Sequence, residues 1–215
     1  MKDEHDKATL DALTQDGAAP VNAEAVTGPR FKGSTTPDIY RQCWATPQWI
    51  IDFVNAHFGR IEIDVCASAE NAKCDHFITE AQNSLDDSVD WGREGGIAWC
   101  NPPYADPLPW VEKAIRQAKQ RNVTVYVLVN SDPSTEWFKK ALAGAQTVIN
   151  IVGYHDAAGK FHNGRVAFVN AQTGKEGGKN SKSSVIFEIK PKRRGSVKTE
   201  YVSRPEMESI GATLI

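Results

Sequence analysis

Ile97-Ala98-Trp99-Cys100-Asn101-Pro102-Pro103-Tyr104 is the stretch on which the reading of this 215-residue chain turns. Four apolar residues run into an Asn, two prolines and an aromatic. The run Ile97–Cys100 reads as a buried strand of a parallel sheet. Pro102 and Pro103 cannot extend it, because each lacks an N–H and has its φ fixed. The strand therefore ends with Asn101 just beyond the sheet, at the edge where open α/β folds bind ligands.

The groups at that edge suggest a chemistry. The Asn101 side chain carries one carbonyl acceptor and one NH2 donor pair. The Pro102 carbonyl has no ladder partner and is a second acceptor. Two converging acceptors suit a planar exocyclic –NH2, and accepting both of its protons raises the electron density on nitrogen. Tyr104 offers a ring on which a base can stack. Taken alone, Asn-Pro-Pro-Tyr also reads as an ordinary strand-ending turn.

Outward from this stretch the chain alternates strand and helix signals. Upstream, Thr46 reads as an N-cap and Pro47 as the first residue of a helix over 48–58, closed by Gly59. Ile61 to Ser68 reads as the first sheet strand, with Asp64 near its end and Cys66-Ala67-Ser68-Ala69 where a glycine-rich turn is usual. His76 to Thr79 reads as a short second strand, and Glu80 after it stands where nucleotide folds place an acid for ribose hydroxyls. Downstream, the pattern predicts a helix over 110–121, a β-branched strand over 123–129, a helix around Trp137, and strands over 147–152, 165–169 and 185–189. Gly153–Gly164 and Gln172–Ser184 read as loops. The β-α-β-α-β alternation makes the chain α/β, with a mostly parallel central sheet and helices on both faces.

The ordered set of pieces resembles the phage-type DNA N-6-adenine methyltransferases, which use S-adenosylmethionine. The pieces are Trp44-Ala45-Thr46-Pro47, Ile63-Asp64-Val65-Cys66-Ala67-Ser68, Asn83-Ser84-Leu85, Trp91, Asn101-Pro102-Pro103-Tyr104, Trp110 with Lys113-Ala114, Trp137-Phe138, and Gly164-Arg165-Val166-Ala167-Phe168. The tetrapeptide occurs in many methyltransferases; the ordered set is more specific. The resemblance implies a Rossmann-like methyltransferase fold and catalytic roles for Asn101, Pro102 and Tyr104. It implies donor contacts from Trp44, Thr46, Pro47, Asp64, Cys66, Ala67, Glu80 and Asn83. Pro103, Arg165 and Phe168 would then lie near the target base or the DNA. Methylation of cytosine N-4, RNA adenine or a protein glutamine on the same fold remains open at this level, as does an inactive DNA-binding module.

Bulk properties set the remaining expectations. The formal net charge is −2, so no global basic field announces nucleic acid. That figure hides a basic C-terminal third: between residues 171 and 204, nine Lys/Arg against three acids leave +6. Lys192, Arg193 and Arg194 lie in this segment and are suited to DNA phosphates. No apolar run approaches a membrane span and no secretory signal opens the chain, so an intracellular, cytoplasmic protein is expected. Cys43, Cys66, Cys74 and Cys100 have no zinc spacing and read as reduced thiols. Two loop histidines, His155 and His162, have no cysteine or acidic partner at usual ligand spacing apart from Asp156 beside His155, so no metal is expected. The expected organisation is a flexible arm over 1–30, a methyltransferase domain over 31–190 and a basic tail over 191–215.

Overall fold

The computed structural model describes residues 44–214; the arm expected over 1–30 lies outside them, as does Cys43. Ile97–Cys100 forms β3, buried on both faces as its apolar run requires. Its parallel neighbours are β2 (Ile63–Asp64) and β4 (Thr124–Asn130). Beyond β4 come β10 (Ser184–Ile189), β5 (Ala145–Val152) and β11 (Lys198–Ser203), giving the order β11-β5-β10-β4-β3-β2. β10 is antiparallel to both its neighbours, while β11 is parallel to β5. The fold is thus α/β with a mixed six-stranded sheet, in which β10 runs against the other five strands. A return segment of β-branched residues after a long excursion can pair in either direction, and periodicity does not carry direction.

Strand alternation divides the core between the two faces. Val125, Val127, Val129, Val185 and Phe187 face α2 (Leu108–Arg121) and α3 (Glu136–Gly144), which supply Val111, Ala114, Ala118, Phe138 and Ala141. Trp99, Tyr126, Leu128, Ile149 and Ile186 face α1 (Gln48–Phe58) and α4 (Arg204–Gly211), which supply Ile50, Ile51, Phe53, Val54 and Met207. α4 packs so tightly on α1 that a Cβ at Gly211 would come within 2.8 Å of the Asp52 Cβ.

Several segments differ from the sequence reading. The helix after Trp44 is capped by Pro47, with no side-chain cap bond, so Thr46 is buried one residue outside it. Residues 108 and 109 belong to α2, because a proline is tolerated in the first turn. The first strand contracts to Ile63–Asp64. His76–Thr79 forms only an isolated parallel bridge at Phe77 against Asp64. Gly153–Gly164 is a hairpin of β6 (Tyr154–His155) and β7 (Phe161–His162). Within Gln172–Ser184 lies β9 (Glu176–Lys179), paired with β8 (Ala167–Asn170), which in turn pairs with β1 (Trp44–Ala45). Residues expected as a tail supply β11 and α4 instead. No helix among the described residues is long and apolar enough to cross a membrane.

Candidate active site

Asn101 follows β3 at the edge where β4 ends at Asn130 and β10 begins at Ser184. Its Oδ1 is buried and, among the described residues, has no hydrogen-bond partner. A buried amide oxygen left unpaired costs about 1–3 kcal/mol, and a ligand N–H donor at this position would remove that cost. Pro102 is buried beside it and Pro103 is exposed. The Tyr104 hydroxyl is shielded from solvent, with Cys100 and Asn180 beside it, and burial holds its ionisation far above the usual phenol range. The Tyr104 ring meets Phe168 of β8 edge-on, with centroids 5.9 Å apart. The structure thus brings Asn101, Pro102, Tyr104 and Phe168 together. Arg165, three residues before Phe168, is exposed.

A second group of residues adjoins the first. Asp64 ends β2 and is buried; its Oδ1 accepts from the Cys66 N–H at 3.3 Å and its Oδ2 from the Lys73 N–H at 3.2 Å. The carboxylate therefore pins the loop that carries Cys66 and Ala67. Burial pushes its pKa up to about 6, against the lowering effect of those N–H groups and the Lys73 charge. Burial, with the charges of Asp64 and Glu80 nearby, pushes the Cys66 thiol up to about 12, and burial likewise raises Cys100 well above the usual thiol range. Neither sulfur is a thiolate nucleophile at neutral pH. Asn71 joins this loop to the Trp44 corner: its Oδ1 accepts from the Ser68 N–H at 2.7 Å and its Nδ2 donates to the Trp44 carbonyl at 3.5 Å. The Trp44 ring lies over β9, where a Cβ at Gly177 would come within 2.3 Å of it. Asn83 is exposed, with a left-handed backbone at φ 50°. Its segment is tied down by Trp91, whose Nε1 donates to the Ser84 carbonyl at 2.9 Å.

Lys192, Arg193 and Arg194 are not at this edge. β10 runs from Ser184 opposite Asn130 to Ile189 opposite Val125, so the chain leaves it at the far end of the sheet. There Lys192 and Arg194 line an open recess of about 700 Å³ with His57, Asn122, Glu188 and Lys198. His57 is in the last turn of α1, so the N-terminus of that helix points to the Asn101 edge.

Sequence reasoning missed Asn180, whose Nδ2 donates to Asn130 Oδ1 at 3.3 Å and which flanks Tyr104. No local signal marks it, because its place is set by contacts distant in sequence: its N–H donates to the Val166 carbonyl at 3.3 Å and its side chain to Asn130. Cys66, Cys74 and Cys100 are free thiols.

Fold and edge together define a class: an α/β protein of methyltransferase-like build, with an Asn-Pro-Pro-Tyr turn at its strand ends. Comparison with known proteins narrows this. The family model described as DNA N-6-adenine-methyltransferase (Dam) matches residues 33–214. A DNA N-6-adenine-methyltransferase of Haemophilus phage HP1 (strain HP1c1) is 37% identical over 180 residues, 83% of this chain and 96% of that protein. The DNA N-6-adenine-methyltransferase of Escherichia phage T1 is 36% identical over 182 residues, covering 82% of this chain and 75% of that protein. No solved structure matches. The chain belongs to the DNA N-6-adenine-methyltransferase (Dam) family.

Proposed function

We propose that this protein methylates N-6 of adenine in DNA, taking the methyl group from S-adenosylmethionine and acting on a base turned out of the duplex. The observation that carries the reading is the buried, unpartnered Asn101 Oδ1 on a proline-fixed turn beside an aromatic ring. The amine of a stacked, paired adenine is out of reach, so the base has to leave the stack. Asn101 Oδ1 and the Pro102 carbonyl then accept its two amine protons, which directs the nitrogen lone pair away from the ring plane. Tyr104 supplies the stacking face, and Phe168 holds the Tyr104 ring. These groups act by position and by fixed dipoles; no covalent enzyme intermediate is involved.

The donor, when bound, supplies an electrophilic methyl group. The residues present fit it. Among the described residues the N-terminus of α1 after Thr46-Pro47 has no side-chain cap, and with the Ile50 N–H donating to the Pro47 carbonyl it is the Gln48 and Trp49 N–H groups that suit a carboxylate. Asp64 suits an ammonium group, Glu80 ribose hydroxyls, and Asn83 an adenine edge. Trp44, Cys66 and Ala67 wall that region. No metal is required by this scheme.

Pro103 and Arg165 are assigned to the DNA beside the target, and Lys192, Arg193 and Arg194 to phosphates at the far end of the sheet. The single reversed strand β10 in a sheet otherwise running one way supports a Rossmann-like methyltransferase arrangement. The phage relatives support action in the cytoplasm of a bacterial host.

The test is Asn101→Ala. Turnover is expected to fall by at least about 10²-fold, the usual consequence of removing one preorganised polar group, while donor affinity stays at the parent value. Near-parental turnover in this variant would remove Asn101 from the mechanism.

A further inference from the structure

The β6–β7 hairpin is a preorganised arm. Asp156 organises its tip: its Oδ1 accepts from the Ala158 and Lys160 N–H groups at 3.0 Å each, and its Oδ2 pairs with His162 Nε2 at 2.8 Å. The turn closes with the Gly159 N–H donating to the Asp156 carbonyl at 2.9 Å, Gly159 taking φ +80°. On one face the Tyr154 and His162 rings stack, 5.0 Å apart and 12° from parallel. On the other face His155 and Phe161 meet at 5.2 Å.

Phe161 is 60% exposed, yet its ring is not loose. It lies against the bare backbone of Gly153 at the root of the hairpin, where a Cβ would come within 2.5 Å of its Cζ. One part of the ring is seated on Gly153, its edge is met by His155, and the rest faces solvent. A single exposed apolar side chain is ordinary. A fixed aromatic, presented at the ligand-binding edge of a sheet, is a stacking surface.

The arm belongs to that edge. It leaves β5 after Val152, and β5 runs parallel to β4 across the intervening β10. It returns through Val166, buried in the core, to Phe168, which touches Tyr104. Among the described residues no ion pair engages Lys160 at the tip or Arg165 at the exit, whereas the acid of the arm, Asp156, is paired with His162. The arm thus offers cations for phosphates beside an aromatic face for a base, and a two-stranded ribbon fits a DNA groove.

We propose that the β6–β7 hairpin engages DNA next to the target adenine, with Phe161 as a stacking platform for a neighbouring base and Lys160 and Arg165 on the adjoining phosphates. This rests on the assignment of the Asn101 edge to the target base. The experiment compares Phe161→Ala, Phe161→Trp and Asn101→Ala with the parent, using labelled methyl transfer to unmethylated plasmid DNA and donor titration. Phe161→Ala is expected to raise the KM for DNA by at least about fivefold, the low end of a lost base–aromatic stack. The effect on kcat is expected to be smaller and donor affinity unchanged. Phe161→Trp is expected to restore the KM, which a merely structural role of the side chain would not require. A KM within twofold of the parent in Phe161→Ala would overturn the proposal. So would failure of Phe161→Trp to restore a raised KM. Retained turnover in Asn101→Ala would instead overturn the assignment of the edge.

Discussion

Asp64 is a buried residue and Asn101 a half-buried one with a buried Oδ1, both at strand ends, but their states differ. Among the described residues Asn101 Oδ1 has no partner, whereas both Asp64 oxygens accept backbone N–H groups and still the carboxyl is raised to about 6 by burial. A carboxyl whose folded pKa exceeds its unfolded value favours the fold most in its protonated form. Its contribution is full below about pH 4 and is lost as the pH rises through about 6. From the ordinary aspartate value of 3.8 to about 6 this amounts to roughly 3 kcal/mol. Denaturant melts of the parent and Asp64→Asn should therefore diverge with pH, the parent losing ground to the variant between pH 4 and 7. A constant gap would contradict the raised pKa. The placement of Asn101, Pro102 and Tyr104 just past the strand end is the part of the candidate site most readable in the chain, because prolines stop a strand wherever they occur. Asn180 is not readable, because the contact that matters is made across the sheet.

At the scale of elements, a buried carboxylate locks three strands in register. Glu188 of β10 stands opposite Tyr126 of β4 and Thr147 of β5. It accepts from the Tyr126 hydroxyl at 3.0 Å and the Thr147 hydroxyl at 2.5 Å, and Lys190 Nζ lies 2.8 Å away. Tyr126→Phe removes one donor from a buried charge and should cost about 1.5–3 kcal/mol in denaturant melts; a neutral result would show that Thr147 and Lys190 suffice. Gly177→Ala should displace the Trp44 ring, which a Cβ there would approach within 2.3 Å. Donor affinity should weaken as the β1-β8-β9 sheet shifts, as read by titration calorimetry; unchanged affinity would detach that sheet from the donor corner. The long apolar strands and helices were legible from periodicity. The hairpin, β9 and β11 were not, since polar, glycine-rich or charged segments form strands only when an existing edge offers its N–H and C=O groups. Trp44-Ala45 and Lys198–Ser203 find such edges on β8 and β5.

At the scale of the whole molecule, the candidate residues fall at the two ends of the sheet. One end gathers Asn101, Tyr104, Phe168, Asp64 and the start of α1; the other carries Lys192, Arg193 and Arg194. The charge run was legible in the sequence, but its distance from the Asn-Pro-Pro-Tyr turn follows from the direction of β10. If these three cations meet phosphates, replacing all three with Ala should flatten the dependence of log affinity on log salt by about 0.9 per lost contact. An unchanged slope would take them out of the DNA interface. The central claim concerns the other end, and one measurement addresses it most directly: transfer of a labelled methyl group from S-adenosylmethionine to unmethylated DNA, followed by digestion to nucleosides. The account predicts that the label is recovered in N-6-methyladenine. Label in methylcytosine, or none in DNA despite intact donor binding, would contradict it.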